Sequence, residues 1–455
     1  MGMDAKILLN IRFISYKEEN TMAVKYDESK INELVELDKK HFIHPTSSMK
    51  QLQEEGPAFV FTRGDGIYLE DVKGRKLMDS LSSLWNVNIG HGRKELAEVA
   101  KEQMEKMAFT SAFNNWSHEP AIRLAAELAE WTPGDLNATF FTSGGSEAND
   151  TAFKTVRHYW KVKDQPQKKK IISRKLSYHG VAMGATSATG IEQFHTFTTS
   201  IAPDFLYVDS SIEALKELIE KEGADTIAAY ISEPIQGSGG VNLPPEGYFE
   251  EVRKICDEND ILFIADEVIC GFGRTGKKFG IENFDVIPDI ITMAKGVTSG
   301  YAPLGGMIIS EKIHKELIEL TEGNFWHGYT YSGHPTAAAV ALKNLEIIEN
   351  ENMIEHVNVV GKQMLEGFEW IKEQHDNVVS ARGIGLLGAV GLERAKDADP
   401  IGPKVVQEAL DRGLICRSVV YEGQDTLAFA PPFPITKEQM EDMINIINDS
   451  IKAVK

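Results

Sequence analysis

Two ionisable residues stand where ionisable residues are expensive. Asp266 ends the apolar run Ile261-Leu262-Phe263-Ile264-Ala265, and Lys295 ends the run Ile290-Ile291-Thr292-Met293-Ala294. A charge at the end of a buried strand must be paired or neutralised. Desolvation lowers a lysine's pKa and frees its amine to attack a carbonyl. The two lie 295 − 266 = 29 residues apart, at the ends of successive strand candidates. That spacing suits opposite sides of one ligand. Taken singly, each has an ordinary reading: a solvated lysine and a capping or salt-bridged aspartate.

Other strand ends add polar groups. After 138–142 comes Ser143-Gly144-Gly145-Ser146-Glu147, then a helical pattern. Glycines before a helix let backbone N–H groups close round an anion, and the helix dipole favours phosphate there. After 170–173 come Tyr178 and His179; an aromatic ring there can stack on a planar group. After 226–232 comes Glu233, which either answers a cation or caps a turn. Thr330, in HGYTYSGHP (327–335), can donate a hydroxyl to phosphate or close a local turn. The segment GFGRTGKK (271–278) imitates a nucleotide loop. However, Lys278 occupies the position of the magnesium-binding Ser/Thr, so a structural Gly-rich loop is the better reading.

Taken together these residues suit pyridoxal phosphate. Lysine forms Schiff bases with that cofactor. An aspartate against its pyridine nitrogen keeps the ring protonated as an electron sink. A Gly-rich helix start would take the phosphate.

The elements that must position these residues follow from the hydrophobic pattern. From about residue 138, seven short apolar runs alternate with helical segments: 138–142, 170–173, 205–208, 226–232, 261–265, 289–293 and 306–310. This predicts a mostly parallel, doubly wound α/β sheet, whose ligands sit outside the carboxyl ends of the strands. Upstream, 31–42, 94–107 and 120–131 read as helices, and 59–79 as short strands with turns at Gly66 and Gly74. Downstream, a helical stretch over 335–373 leads to strands at 385–392, 414–420 and 426–431. A last helix opens with the capping box Thr436/Gln439. The domain reading is an N-terminal segment 1–80, a large domain 81–344 and a small α+β domain 345–455. Residues 1–21 are expected to be a peripheral extension.

Bulk properties narrow the rest. The net charge of −20 argues against a nucleic-acid partner. No apolar run reaches the ~18 residues of a membrane span. Three cysteines without metal spacing suit a reducing cytoplasm.

With these motifs assembled, the chain resembles the class III pyridoxal-phosphate-dependent aminotransferases of the ω-amino acid:pyruvate type. The resemblance spans about 30–450. It is carried by SLWNVNIGHGRKEL (81–96), FFTSGGSEAND (140–150), SYHG (177–180), EPIQGSGG (233–240), ADEVICGFGRTG (265–276), MAKGVTSGY (293–301) and HGYTYSGHP (327–335). It implies fold type I, with a seven-stranded sheet and a smaller α+β domain drawn from both chain ends. Lys295 would be the Schiff-base and proton-shuttling lysine, and Asp266 the partner of the pyridine nitrogen. Gly144, Gly145 and Ser146 would cradle the phosphate, with Gly144 standing where the family often has serine. Tyr178 and Val268 would bracket the ring, with His179 and Glu233 beside the cofactor. Thr330 would reach the phosphate of a second copy, so a homodimer is implied, with dimer against tetramer left open. Trp85, Tyr178, Tyr329 and Arg417 would line the substrate pocket, Arg417 taking the keto acid's carboxylate. The implied reaction is ping-pong transfer from an ω-amino acid or primary amine to pyruvate or a similar keto acid. A biotin-pathway amino ketone transaminase and an aminomutase remain alternatives on the same fold.

Overall fold

The computed structural model describes residues 26–395 and 398–454. The extension expected over 1–21 lies outside the described residues. Two compact units emerge. The smaller comprises the described part of Met1–Thr62 together with Asp71–Arg75. Its helix Glu28–His41 starts three residues ahead of the apolar pattern, because the Asp27 carboxylate accepts from the Lys30 amide at 2.8 Å. N-caps of this kind satisfy donors that the first turn leaves unpaired. A second helix, Met49–Glu55, is capped by Ser48.

The larger unit, Arg63–Glu70 with Lys76–Lys455, contains the seven-stranded sheet. The strand order is Leu136–Thr142, Gly305–Ser310, Ile290–Met293, Leu262–Asp266, Ile227–Ser232, Lys170–Arg174 and Phe205–Val208. All pair parallel except Gly305–Ser310, which runs antiparallel to both neighbours. The four strands from Gly305–Ser310 to Ile227–Ser232 are buried at every residue. That is why they read as continuous apolar runs rather than alternating ones. The parallel strands therefore end on one edge. Asp266 pairs with Thr292, three residues before Lys295.

A four-stranded antiparallel sheet follows, ordered Val378–Ile384, Leu387–Leu392, Thr426–Phe429 and Arg417–Val419. Helix Met353–Gln374 lies against its first strand. Three expectations are corrected here. The helical stretch 335–373 is two helices, Pro335–Asn350 and Met353–Gln374, broken where Asn352 takes a left-handed conformation. The strand expected at 385–392 begins at Leu387, since a turn at Gly385 separates it from a preceding strand, Val378–Ile384. The single strand expected at 414–420 is two. Leu414–Ile415 pairs parallel with Lys76–Asp79, while Arg417–Val419 joins the other sheet. One apolar run thus serves two sheets, which periodicity alone cannot show.

The last helix, Lys437–Ala453, opens with the Thr436/Gln439 capping box and buries Met440, Met443, Ile444, Ile447 and Ile451. Among the described residues no helix is long and apolar enough to cross a membrane. No His/Cys/Asp/Glu cluster among them could hold a metal ion.

Candidate active site

The site begins at Asp266, buried at its strand end. Its Oδ2 accepts from His179 Nδ1 at 2.7 Å and Asn149 Nδ2 at 2.8 Å, and its Oδ1 from the Val268 amide at 3.1 Å. A carboxylate offers about four acceptor positions, so Oδ1 keeps capacity for one more donor. Close by, His179 Nε2 and Asn149 Oδ1 are buried without a protein partner. His179 therefore meets the site through Asp266. Asn149 went unread in sequence; its signal was position, four residues beyond Gly145 on the buried face of the helix.

Lys295 follows the neighbouring strand on a turn where its own φ is +49°. A left-handed non-glycine residue stores strain of about 1–3 kcal/mol, held by surrounding structure. Asn344 supplies that hold. Fully buried on helix Pro335–Asn350, it donates to the carbonyls of Gly296 (2.9 Å) and Val297 (3.0 Å) and accepts from Ser299 Oγ (2.6 Å). Burial lowers the Lys295 ammonium to about 8, against the opposing pull of Asp266 and Glu233. Its Nζ sits 5.5 Å from the centroid of the Trp85 ring.

Trp85 is buried, 2% exposed, with its indole Nε1 unpartnered. Ser82, Ser83 and Trp85 all have positive φ. This contorted segment is fastened by Arg274, whose Nη2 donates to Ser82 Oγ (3.0 Å) and Asn88 Oδ1 (2.8 Å). The Arg274 Nη1 reaches the carbonyls of Leu386 (3.0 Å) and Pro431 (2.6 Å). The Gly-rich loop 271–278 thus carries a buried structural arginine.

Helix Gly145–Val162 starts at Gly144 with no side-chain cap. Its first-turn N–H groups are left to an outside partner. The Ser146 hydroxyl accepts from the Val181 amide at 3.1 Å. A side chain on Gly180, whose φ is +117°, would collide with that hydroxyl. A Cβ on Gly145 would lie 2.9 Å from the Val268 Cγ1, which places Val268 beside the same helix start. At Gly144 the backbone is extended and the space for a Cβ is open.

Glu233 is buried and spends both oxygens on turn amides, those of Tyr178 (2.9 Å) and Gly237 (3.0 Å). Of the two sequence readings, this is the turn-capping one. Burial pushes its carboxyl up to about 7, opposed by nearby His179 and these two donors. Tyr178 is half-buried, its ring 5.1 Å from Phe194. Burial raises its phenol pKa, and the Arg417 charge opposes the rise.

Arg417 lies on the edge strand of the second sheet, yet its guanidinium turns inward, 5.1 Å from the Trp85 centroid. Lys295, Trp85 and Arg417 are therefore brought together. Tyr329 is placed elsewhere: its hydroxyl meets the Glu147 carbonyl at 3.4 Å, on the first turn of the Gly145–Val162 helix. Thr330 is exposed.

The chain that builds this site, at the carboxyl edge of a largely parallel sheet, is similar to known proteins. A family model for class III aminotransferases covers residues 50–451. The chain belongs to that family and is a pyridoxal-phosphate-dependent aminotransferase of fold type I. It is 38% identical to the putrescine–pyruvate aminotransferase of Pseudomonas aeruginosa, over 92% of this chain and 95% of the relative. A crystal structure of a transaminase from a marine Virgibacillus superposes with a TM-score of 0.91 at 51% identity, covering 93% of this chain and 99% of that one. The ω-transaminase of Pseudomonas jessenii, solved in complex with PMP, superposes at 0.88 with 34% identity, covering 92% and 99%.

Proposed function

We propose that the chain transfers an amino group from a primary amine or ω-amino acid to pyruvate or a similar keto acid, by a ping-pong sequence in the cytoplasm. The observation that carries this is the arrangement round Trp85. An amine of lowered pKa and a guanidinium both lie against one buried indole. One can do chemistry on a carbon, and the other can hold a carboxylate bidentately. The Pseudomonas aeruginosa relative is named for putrescine, a diamine, and pyruvate, a carboxylate-bearing keto acid, which fits that pair.

Bound pyridoxal phosphate would supply an electron sink for the carbon losing its proton. The residues fit it. The uncapped helix start at Gly144, Gly145 and Ser146 would hold the phosphate through backbone N–H groups and the serine hydroxyl. Asp266, held in place by His179 and Asn149, would fix a proton on the ring nitrogen. Val268 and Tyr178 would bracket the ring, and Glu233 would hold Tyr178 in register through its amide. The Lys295 amine would bind the cofactor, take the donor's α-proton and return it one position along. Trp85 and Tyr178 would wall the amine pocket, with Tyr329 nearer the phosphate side. Arg417 would receive the keto acid.

Thr330 would serve a second copy of the chain. Exposed aromatics stand beside it in the chain: Trp326 is 87% exposed and Tyr331 58%. Tyr331 touches Phe109, so the segments near 109 and 331 share one face. Exposed apolar surface of this kind marks an interface, and a homodimer is the occupant this reading requires.

Half-reactions test the proposal. The holoenzyme mixed with a primary amine alone should release about one equivalent of carbonyl product per site and change its cofactor absorbance. Pyruvate added afterwards should restore the absorbance and yield alanine. Product formed only when both substrates are present would overturn the ping-pong reading.

A further inference from the structure

The Arg417 guanidinium has a neutral partner. Its Nη2 donates to the Tyr421 hydroxyl at 3.1 Å, four residues along the chain. A carboxylate in that place would cancel the charge and compete with an incoming keto acid. A phenol orients the guanidinium and leaves its charge and its remaining donors for the ligand. The phenol is itself held at both ends. The Tyr421 carbonyl accepts from the Gln424 amide at 3.0 Å, and the Gln424 side chain ties back to the Gly239 carbonyl, also at 3.0 Å. The Tyr421 ring meets Phe194 edge-on at 6.0 Å, and Phe194 in turn meets Tyr178 at 5.1 Å. The hydroxyl is thus a fixed post, and the guanidinium is strung between it and the Trp85 face.

We infer that Tyr421 is a positioning residue that holds Arg417 over Trp85 and so sets the preference for carboxylate-bearing over uncharged acceptors. The inference rests on the reading of Arg417 as the carboxylate's partner. When the guanidinium stays on the post, a keto acid meets a preformed site. When an uncharged molecule enters, the guanidinium must give up this bond to move aside.

The test uses the holoenzyme and two acceptors of similar size, pyruvate and propanal, with a saturating primary amine. The quantity read is the ratio of kcat/KM for pyruvate to that for propanal. Damage to the fold lowers both values and leaves the ratio, so the ratio reports positioning. In Tyr421→Phe, which keeps the ring against Phe194, the ratio should fall about 10- to 100-fold, the range for one hydrogen bond to a charged group. The fall should come through the pyruvate KM. Arg417→Ala should lower the ratio further, and Tyr421→Phe added to Arg417→Ala should change it no more. If Arg417→Ala lowers the ratio and Tyr421→Phe does not, or if the two effects add, the inference about Tyr421 is overturned while the role of Arg417 stands. If Arg417→Ala leaves the ratio where it was, the reading of Arg417 falls and the inference with it.

Discussion

At the residue scale, the site is a set of groups made costly by burial, some partnered within the chain and some, such as the Trp85 Nε1 and His179 Nε2, without a protein partner. Lys295 shows the consequence for pH. Its folded pKa of about 8 lies below the ordinary lysine value of 10.5. Between those values the unfolded chain binds more protons than the folded one, so this group alone makes stability rise with pH across that window. It also leaves a neutral amine at lower pH than a surface lysine would. The rate at which cofactor-free enzyme takes up pyridoxal phosphate should therefore rise with a midpoint near 8. A midpoint near 10 would contradict the burial account. Asp266 makes a second prediction. Asp266→Asn keeps the shape but loses the charge, and kcat/KM should fall by roughly 10- to 100-fold, the loss expected for one charge-assisted hydrogen bond. Both residues were legible in sequence because an ionisable group ending an apolar run is visible without any fold. Asn149 and Tyr421 were not, because an amide on a helix and a tyrosine in a turn are ordinary until their partners are known.

At the element scale, the parallel strands deliver their ends to one edge, and the turns beyond them do the shaping. The glycines of those turns differ in what they permit. Gly180→Ala would push into the Ser146 hydroxyl at a left-handed backbone position. It should cost most of the bound cofactor, read as absorbance retained after dialysis. Gly144→Ser enters open space on an extended backbone. It should fold normally and hold the cofactor at least as tightly, because it adds a hydroxyl at the uncapped helix start. Asn344→Ala would strand the Val297 carbonyl and the Ser299 hydroxyl behind Lys295, while the Gly296 carbonyl keeps the Ser299 amide. It should destabilise the protein by about 2–6 kcal/mol, two unmet buried groups' worth, and slow cofactor uptake. The strands were legible because buried parallel strands are uninterrupted apolar runs. The division of 414–420 between two sheets was not, because the pairing partner of Leu414–Ile415 lies more than 330 residues away at Lys76–Asp79. Arg274 was hidden for the same reason: its partners are Ser82, Asn88, Leu386 and Pro431.

At the scale of the whole molecule, the proposed homodimer would cover the exposed aromatic residues beside Thr330. Sedimentation equilibrium at micromolar concentration should give at least twice the chain mass. Trp326→Glu, which would bury a charge in the proposed contact, should shift the enzyme towards monomer and release cofactor in proportion. A fully active monomer would separate Thr330 from the site. The proposed chemistry, however, turns on one atom, the Lys295 Nζ. Borohydride reduction of the holoenzyme, followed by peptide mass spectrometry, would fix the cofactor to whichever amine holds it. The account predicts a single pyridoxyl-phosphate adduct, on Lys295. An adduct on any other lysine, or none, would contradict it.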